Sequence, residues 1–453
     1  MKKKLYKYLP VFFQNIAISI ANIFVLNKKF GYIPIINPLN RISKKVLSEN
    51  LNIDEKKLTN EINKLLKYAK NHVNFYKRNS NKYIQISSLN EINKIPVLNK
   101  FYLKNNIKDF YSDDINWFNS KTLYTSGTTG TPMKIKVRTK DLRHRFKLLL
   151  KVMLENGFDP SKPVAKITGQ DICDDEIIYR QDYFNKHFFL SAFHISQKNI
   201  YKYFNVIKEN KIETIEGYPS AIYILAKLLK ENNLKIDCVK QVFTTAEKLH
   251  SYQKILIENV FNCKVYDYYG SNDQSVLIYT CKEGKMHVAN ATGLLEVLDK
   301  NNKNVKFGET GFMIVTSLTS YFMPLIRYKI GDLCVVARNQ NCNCGNKGLI
   351  IEEIIGRDED IFKTNDGRYI TRFSVVLKYL PEKIIESQLV LSNSNNNVKL
   401  YYIANENIDL NLFKEFEEKL LEKIGKNYTV TYHKVKKINS TKSGKKKAIK
   451  IEN

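Results

Sequence analysis

The stretch between Tyr124 and Lys134 has the composition of a phosphate-binding loop. Five Ser or Thr residues and two Gly residues fill the seven positions 125–131. Glycine lets the backbone turn tightly and bring its N–H groups close to an anion, and hydroxyl groups donate further hydrogen bonds to phosphate oxygens. Lys134 adds a positive charge. A polar surface turn is the alternative interpretation, and the spacing excludes a Walker P-loop.

A second group of residues has the chemistry of a metal site. Cys342 and Cys344 are separated by one residue, and Cys281 and His287 lie upstream in a turn-rich segment. Three thiolates and one imidazole suit tetrahedral Zn²⁺, and in a reducing compartment such a set favours a metal over a disulfide. Cys334 is an alternative ligand. Scattered thiols without a role are the other interpretation.

Length, charge and cysteine content limit the class of protein. A chain of 453 residues is too long for one core, so two or more domains are expected. The net charge of +28 would suit an anionic partner, but Lys is abundant along the whole chain and no nucleic-acid-binding signature interrupts it. We therefore expect no specific nucleic acid partner. Seven Cys without a disulfide framework, and no visible signal-peptide cleavage site, favour the cytoplasm.

The N-terminal region combines positive charge with an apolar run. The first 48 residues contain nine Lys or Arg and no acid. The apolar run 9–26 is short for a transmembrane helix and is interrupted by Asn15, Ser19 and Asn22, which share one helical face. It predicts an amphipathic helix. Two alternatives remain open, namely packing on its own domain and peripheral docking of the basic end on the anionic inner face of the membrane.

Strands and helices alternate through the middle of the chain, which is the pattern of a parallel α/β sheet. The predicted strands are 163–167, 214–218, 238–244 and 264–268, and the predicted helices are 141–154, 219–231 and 249–261. Ligands bind such sheets at the carboxyl ends of the strands. Ala246 and Glu247 follow one strand, and the segment Tyr268–Asp273 ends the next. These residues are therefore binding-site candidates.

The C-terminal part changes character. Residues 296–336 are rich in strand patterns, and the charged segment Gly356–Asp360 is a candidate linker. About a hundred residues follow, ending in a lysine-rich tail that contains Ser443, Gly444 and Lys445. Taken alone, this tail would be a solvated basic end.

Five motifs occur in an order that resembles the adenylate-forming (ANL) superfamily, the acyl-CoA synthetases and their relatives. They are TSGTTGTP, YYGSND, RYKIGD, GRDED and TKSGK. Within that superfamily the chain resembles the phenylacetate–CoA ligase and CapK branch, which is associated with capsular polysaccharide loci. This narrower resemblance is carried by Leu9–Pro10 with Gln14–Asn15 near the start, and by the segments Glu216–Ser220, Met323–Tyr328 and Cys342–Gly345.

The resemblance implies a fold and a reaction. The fold is α/β, with a large N-terminal adenylation domain containing parallel sheets (1–356) and a small, mobile α+β C-terminal lid domain (357–453). The implied reaction is ATP- and Mg²⁺-dependent activation of a carboxylic acid to an acyl adenylate. Transfer to coenzyme A, or to an amine, hydroxyl, amino sugar or carrier-protein thiol, would follow in surface polysaccharide biosynthesis. The alternative from another class is a basic membrane- or nucleic-acid-surface binding protein with a decayed ATP site.

The resemblance also assigns roles to individual residues. Lys445 would be the catalytic lysine of the lid, and Arg357 would begin the hinge. Asp273 would help to hold Mg²⁺, although the superfamily usually has Glu there. Tyr269 would lie beside the adenine, and the carboxylate of Asp332 would accept hydrogen bonds from both ribose hydroxyls. The implied nucleotide-binding residues are Ser126, Gly127, Thr128, Thr129, Gly130, Lys134, Ala246, Glu247, Tyr268, Tyr269, Gly270, Ser271 and Asp332.

Overall fold

The computed structural model describes most of the chain as two compact units. The described residues are 9–30, 39–116, 118–124, 133–168, 177–270, 274, 276–357, 362–364, 369–370, 373–377, 379–381, 383–392, 396–438 and 448–452. Unit one comprises Met1–Lys162, Asp182–Lys186 and Tyr266–Ile354, and unit two comprises Pro163–Gln181, His187–Val265 and Ile355–Asn453.

The helices of unit one lie in its N-terminal part. They are α1 (Val11–Phe30), α2 (Leu39–Val46), α3 (Glu55–His72), α4 (Asn74–Arg78), α5 (Lys100–Asn105) and α6 (Thr139–Glu155). Asp54 caps α3, because its carboxylate accepts a 2.7 Å hydrogen bond from the Lys57 amide. Within the described residues, α1 alone has the length and hydropathy of a membrane-crossing helix.

The strands of unit one form a hairpin and a larger antiparallel array. The hairpin consists of β1 (Ser120–Tyr124) and β2 (Lys134–Arg138). The larger array contains β8 (Lys264–Tyr269), β9 (Leu277–Thr280), β10 (Met286–Ala289), β11 (Gly293–Leu298), β12 (Thr310–Ser317), β13 (Tyr328–Val336) and β14 (Ile350–Arg357). Their order is β11-β12-β13-β14-β10-β9-β8. One apolar core, which includes Ile62, Ile135, Met313 and Tyr328, packs against them.

Unit two contains the parallel strands. They are β3 (Val164–Thr168), β5 (His187–Ser191), β6 (Thr214–Gly217) and β7 (Gln241–Thr245), with β4 (Tyr179–Asp182) at one edge. The helices α7 (Ile200–Glu209), α8 (Pro219–Glu231) and α9 (Ser251–Phe261) contribute to their core. A β carbon on Gly217 would lie 2.2 Å from the Ile167 carbonyl oxygen, so only glycine fits where β6 turns toward α8.

The C-terminal part of unit two has its own sheet and core. Its elements are β15 (Phe362–Lys363), β16 (Tyr369–Ile370), α10 (Ser374–Leu377), β17 (Glu386–Ser392), β18 (Asn397–Ile403), α11 (Lys414–Ile424), β19 (Thr429–Lys434) and β20 (Ile449–Glu452). The sheet order is β19-β18-β17-β20. Phe416, Leu420 and Ile424 of α11 are fully buried against it, which gives the α+β character expected for this region.

The structure confirms the α/β class and corrects several boundaries. The strand predicted at 238–244 begins only at Gln241, because its partner strand β6 begins at Thr214 and these two residues pair. The helix predicted from Leu249 begins at Ser251. Gly356 and Arg357, predicted to begin a linker, end β14 instead. Parallel pairing is observed among β3, β5, β6 and β7, whereas β8 pairs with β9, and β9 with β10, in antiparallel fashion.

Candidate functional site

Two of the predicted motifs meet in unit one at a tyrosine and an aspartate. Tyr269 is the last residue of β8, and Asp332 lies in β13. The Tyr269 hydroxyl donates a 2.5 Å hydrogen bond to Asp332 Oδ2. Both residues are half-buried. The arrangement presents an aromatic ring and a carboxylate side by side, which are the groups needed to bind a base and a diol.

The backbone next to Asp332 is shaped by a glycine and a lysine. Gly331 has a φ of +91°, a conformation that L side chains rarely adopt. Lys100 Nζ is 3.7 Å from the position of a β carbon on Gly331. Leu98, two residues before Lys100, pairs with Tyr328, the first residue of β13. This pairing brings Lys100 close to Gly331. Lys100 carries no sequence signal of its own, since no motif surrounds it.

A buried arginine lies beside the glycine that follows Tyr269. Arg145 projects from α6 and is 8% exposed. Its Nη2 would lie 2.9 Å from a β carbon at Gly270, and it donates a 3.5 Å hydrogen bond to the Val276 carbonyl oxygen. Glycine at position 270 therefore leaves room for the guanidinium group. Arg145 was not predicted either, because a single arginine in a helix carries no sequence signal.

The hairpin β1–β2 frames the predicted phosphate loop. Tyr124 and Lys134 are paired across the hairpin, so the loop connects its two strands. Ile135 and Val137 anchor β2 in the core, while the Lys134 side chain is exposed. The Lys134 carbonyl oxygen accepts a 2.8 Å hydrogen bond from the Tyr111 hydroxyl. Loop residues Ser126, Gly127, Thr128, Thr129 and Gly130 lie outside the described part of the chain.

Two further predicted residues belong to unit two and lie directly after β7. Ala246 has a φ of +71°, which is unusual for a residue with a β carbon and is often found at functional sites. Glu247 Oε2 accepts a 3.2 Å hydrogen bond from the Ser220 amide in the first turn of α8. A carboxylate there is stabilised by the helix dipole. The strand end and the helix start are thus fixed to each other.

The remaining predicted residues are placed only in part. Tyr268 lies in β8 opposite Tyr279 of β9. Arg357 is the last residue of β14. Ser271, Asp273 and Lys445 lie outside the described residues. Their proposed roles therefore rest on the sequence motifs.

The predicted metal ligands come together in unit one. The ligand atoms of Cys281, His287, Cys342 and Cys344 all lie within 4.8 Å of one another. The two sulfur atoms of Cys281 and Cys342 are 3.7 Å apart, and Cys344 Sγ is 3.4 Å from His287 Nε2. In a tetrahedral Zn²⁺ site with bonds of about 2.0–2.3 Å, ligand atoms are separated by roughly 3.3–3.8 Å. The side chains fit that ion.

Sheet topology explains why these four residues meet. Strand β10 lies between β9 and β14. Cys281 starts the tight turn from β9 to β10, in which the Gly284 amide donates to the Cys281 carbonyl oxygen. Cys342 and Cys344 lie in the connection before β14. A β carbon on Gly348 would be 2.1 Å from the Val288 carbonyl oxygen, so this glycine lets the connection approach β10 closely.

Neighbouring groups determine how these side chains are oriented and how readily they ionise. The His287 Nδ1 is 3.4 Å from the Gly348 carbonyl oxygen, which leaves Nε2 facing the thiols. Burial lowers the pKa of His287, so the ring is neutral as a ligand must be. Burial raises the pKa of Cys281 to about 12, which opposes the thiolate form until a cation is bound. Burial also opposes ionisation of Cys344, yet hydrogen bonds from Asn346 and the neighbouring thiols lower its pKa.

Cys334 does not join this group. It is completely buried in the apolar core of unit one, and burial raises the pKa of its thiol to about 12. The suggestion that Cys334 substitutes as a ligand is therefore wrong, because in β13 its side chain points into the core.

Comparison with known proteins shows two similarities to CapK. The CapK C-terminal domain matches residues 362–452, the segment that forms the separate C-terminal sheet. Protein CapK of Staphylococcus aureus is 25% identical over 460 residues, which cover 99% of this chain and 98% of that protein. The chain is therefore similar to CapK over its whole length, and its C-terminal segment matches the CapK domain model. Other homologues and structural neighbours of this CapK-like chain are AMP-forming ligases.

Two further similarities agree with this resemblance. A phenylacetate-coenzyme A ligase of Thermus thermophilus is 32% identical over 100 residues, or 22% of each chain. The structure of 2-hydroxyisobutyryl-CoA ligase with R3-HIB-AMP, in the postadenylation state, superposes with a TM-score of 0.69 at 18% identity. That similarity covers 94% of the CapK-like chain and 91% of the ligase, and it shows a common fold.

Proposed function

We propose that this enzyme uses ATP to activate a carboxylic acid and then transfers the acyl group to coenzyme A. In the first step a carboxylate oxygen attacks the α-phosphorus, the bond to the β-phosphate oxygen breaks, and acyl adenylate and pyrophosphate form. In the second step the coenzyme A thiol loses a proton and displaces AMP, giving a thioester. Similarity to a phenylacetate-coenzyme A ligase supports the choice of acceptor.

The hydrogen bond between Tyr269 and Asp332 is the observation that carries this proposal. One motif supplies the ring for the adenine, and the other supplies the carboxylate for the ribose. The carboxylate has a second oxygen and further lone pairs, so it can accept from the ribose hydroxyls. The tyrosine hydroxyl holds it in one orientation before the nucleotide binds, which reduces the entropic cost of binding.

The remaining steps are assigned to the predicted residues by resemblance. Ser126, Thr128 and Thr129 would donate hydrogen bonds to the β- and γ-phosphates. Lys445 would stabilise charge on the α-phosphate during adenylation only. Bound Mg²⁺, for which Asp273 is the proposed ligand, would neutralise charge on the leaving pyrophosphate.

We also propose that the C-terminal domain moves as a lid. Its separate sheet and core support this idea, because a part with its own core can move as a body. Limited proteolysis near Arg357, with and without ATP, tests the motion. We expect ATP to change the cleavage rate there. Cleavage confined to residues 120–330 would contradict the proposal.

Product analysis tests the reaction itself. Purified protein is incubated with ATP, Mg²⁺, coenzyme A and a panel of carboxylic acids, and AMP and thioester are quantified by mass spectrometry. We expect acid-dependent formation of both in equal amounts. Formation of AMP and acyl adenylate without thioester would support the first step and would show that coenzyme A is not the acceptor. Asp237→Asn, at an exposed position, is the matched control for Asp332→Asn.

We further propose that the activated acid serves surface polysaccharide biosynthesis. Full-length similarity to Protein CapK supports this role. A strain lacking the protein should produce surface polysaccharide without one acyl substituent, measured by mass spectrometry of the extracted polymer. Complementation should restore the substituent with the wild-type protein and not with Asp332→Asn. An unchanged polymer would contradict the role.

Cys281, His287, Cys342 and Cys344 are proposed to hold a structural Zn²⁺. The ion would link the β9–β10 turn to the connection before β14 and would stabilise the fold without contacting substrate. About one equivalent of zinc should be present in protein purified without metal-affinity steps, and chelation should lower Tm. Cys342→Ser should lose the metal, and Cys238→Ser, outside this group, should keep it. Less than a few tenths of an equivalent would contradict the site.

A further inference from the structure

Helix α1 buries polar side chains and exposes large apolar ones over much of its length. Its buried side chains include Gln14, Asn15 and Ser19, which are each 6% exposed or less. Leu26 and Phe30 near its C-terminal end pack in an apolar core, but Phe13 is 54% and Phe24 67% exposed. A helix packed on a soluble domain normally shows the opposite pattern.

Hydrogen bonds to one loop hold the middle of α1 in this orientation, and nearer its C-terminus Arg143 of α6 donates a 3.4 Å hydrogen bond to Asn27. The loop comprises Asp182–Lys186 and belongs to the same unit as α1. Asn15 Nδ2 donates a 3.0 Å hydrogen bond to the Tyr183 hydroxyl, and the Tyr183 amide donates a 3.0 Å bond to Ser19 Oγ. Asn22 donates to the carboxylate of the fully buried Asp182. Rotating α1 to bury its phenylalanines would leave these buried polar groups without partners, at considerable cost.

The outward side chains form one apolar surface with the loop. Phe12 lies 6.4 Å from Tyr183 between ring centroids, so the helix and the loop are contiguous there. We name this the outer face, and it consists of Phe12, Phe13, Ile20, Phe24 and Tyr183, which are all more than 40% exposed. Monomeric soluble proteins rarely expose so many large apolar side chains together.

The positive charge of the N-terminal region indicates what kind of partner the outer face binds. Lys28 is exposed in the last turn of α1, whereas Lys29 in the same turn lies over the Phe146 ring, 4.5 Å from its centroid. The first 48 residues contain nine Lys or Arg without any acid. Aromatic side chains beside lysines are the composition of helices that lie in the interface of an anionic bilayer. We propose that the outer face docks on an anionic lipid surface. The helix lies in the membrane plane, because its opposite side is bonded to the Asp182–Lys186 loop.

Vesicle co-sedimentation tests the docking. The full-length protein is mixed with vesicles of phosphatidylcholine alone, or of phosphatidylcholine with phosphatidylglycerol. We expect pelleting with the anionic vesicles and little with the neutral ones, and weaker pelleting at high salt, which screens the lysines. The double variant Phe13→Ser/Phe24→Ser should bind at least about tenfold more weakly, since two large apolar side chains no longer enter the interface.

Controls separate docking from folding and from self-association. Phe307→Ser replaces a phenylalanine that is 62% exposed outside α1, and it should bind vesicles like wild type. Circular dichroism of the double variant should match wild type, since both positions are exposed. Equal binding to neutral and anionic vesicles, no binding, or an unchanged double variant would overturn the proposal. So would a wild-type dimer in light scattering that the double variant abolishes, because the outer face would then bind a second copy.

Discussion

Tyr269 and Asp332 are separated by 63 positions in the sequence, yet the tyrosine hydroxyl donates a 2.5 Å hydrogen bond to the aspartate carboxylate. The bond joins the end of β8 to the middle of β13. Each residue belongs to a motif that resemblance assigns to nucleotide binding, and the fold makes them direct neighbours. This contact therefore gives the resemblance a specific geometry.

Substitution of Asp332 tests the proposed ribose contact. Asp332→Asn removes a charged acceptor and should lower kcat/KM for ATP about 10- to 100-fold, the equivalent of roughly 1.5–3 kcal/mol. Tyr269→Phe keeps the ring and loses only the bond to Asp332, so a decrease of about fivefold is expected. Steady-state kinetics with varied ATP measure both. An unchanged kcat/KM for ATP in Asp332→Asn would show that Asp332 does not bind the ribose.

Lys445→Ala should separate the two half-reactions. The lysine is proposed to stabilise only the transition state of adenylation, so its loss should slow acyl adenylate formation roughly 10²–10³-fold. Thioester formation from a supplied acyl adenylate should stay near the wild-type rate. Lys442→Ala and Lys446→Ala are the matched controls in the same tail. If one of them is damaging and Lys445→Ala is mild, the catalytic lysine has been assigned to the wrong position.

A buried ion pair should dominate the local stability of the strand that carries Asp332. The Arg327 guanidinium contacts both oxygens of Glu296, at 2.9 Å from Nε and 2.7 Å from Nη2, and both side chains are buried. Burial raises the pKa of Glu296, whereas Arg327 acts in the opposite direction. Glu296→Gln should lower the free energy of unfolding by about 3 kcal/mol, because Arg327 is left buried without a counter-charge, with the carbonyl oxygens of Asn93 and Ile95 as its remaining acceptors.

Urea unfolding measures this effect, and an exposed pair provides the control. Glu406 contacts Lys383 at the surface. Glu406→Gln should leave stability essentially unchanged, because exposed ion pairs contribute little. If Glu296→Gln and Glu406→Gln lower the free energy of unfolding equally, burial does not set the contribution of the Arg327–Glu296 pair to stability.

His250 should make stability depend on pH. Burial, and then the charge of Lys248, lower the pKa of His250 from 6.5 to about 3. Below its unfolded pKa the unfolded chain binds a proton that the folded protein does not, so stability is complete above that pKa and is lost as the pH falls. The loss between about pH 7 and about pH 5 should be about 2 kcal/mol. Urea unfolding should show a smaller loss for His250→Gln, and equal losses would contradict this role.

The motif order predicted much of this protein, because short motifs contain their own chemical information. It predicted the resemblance to CapK. The alternation of strands and helices predicted the strand ends that carry Ala246 and Tyr269, and the cysteine spacing predicted the four residues of the Cys/His group. Distances between remote segments were not predictable in the same way. Lys100 lies near Gly331 because Leu98 pairs with Tyr328. No local sequence pattern predicts this pairing between remote segments.

Helix α1 shows the same limit. Its sequence placed Asn15, Ser19 and Asn22 on one face, as the structure confirms. It could not show which face is turned inward, since the partner Asp182 lies 160 positions away from Asn22. The hydrophobic effect alone would have predicted the opposite orientation.

Pyrophosphate–ATP exchange is the most direct test of the central claim. The enzyme is incubated with ATP, Mg²⁺ and labelled pyrophosphate in the presence of each carboxylic acid of a broad panel, without coenzyme A. Reversible adenylation predicts label in ATP that depends on one or a few acids and falls strongly in Asp332→Asn. Folded, wild-type protein that gives no acid-dependent exchange with any member of the panel would contradict acid adenylation as its function.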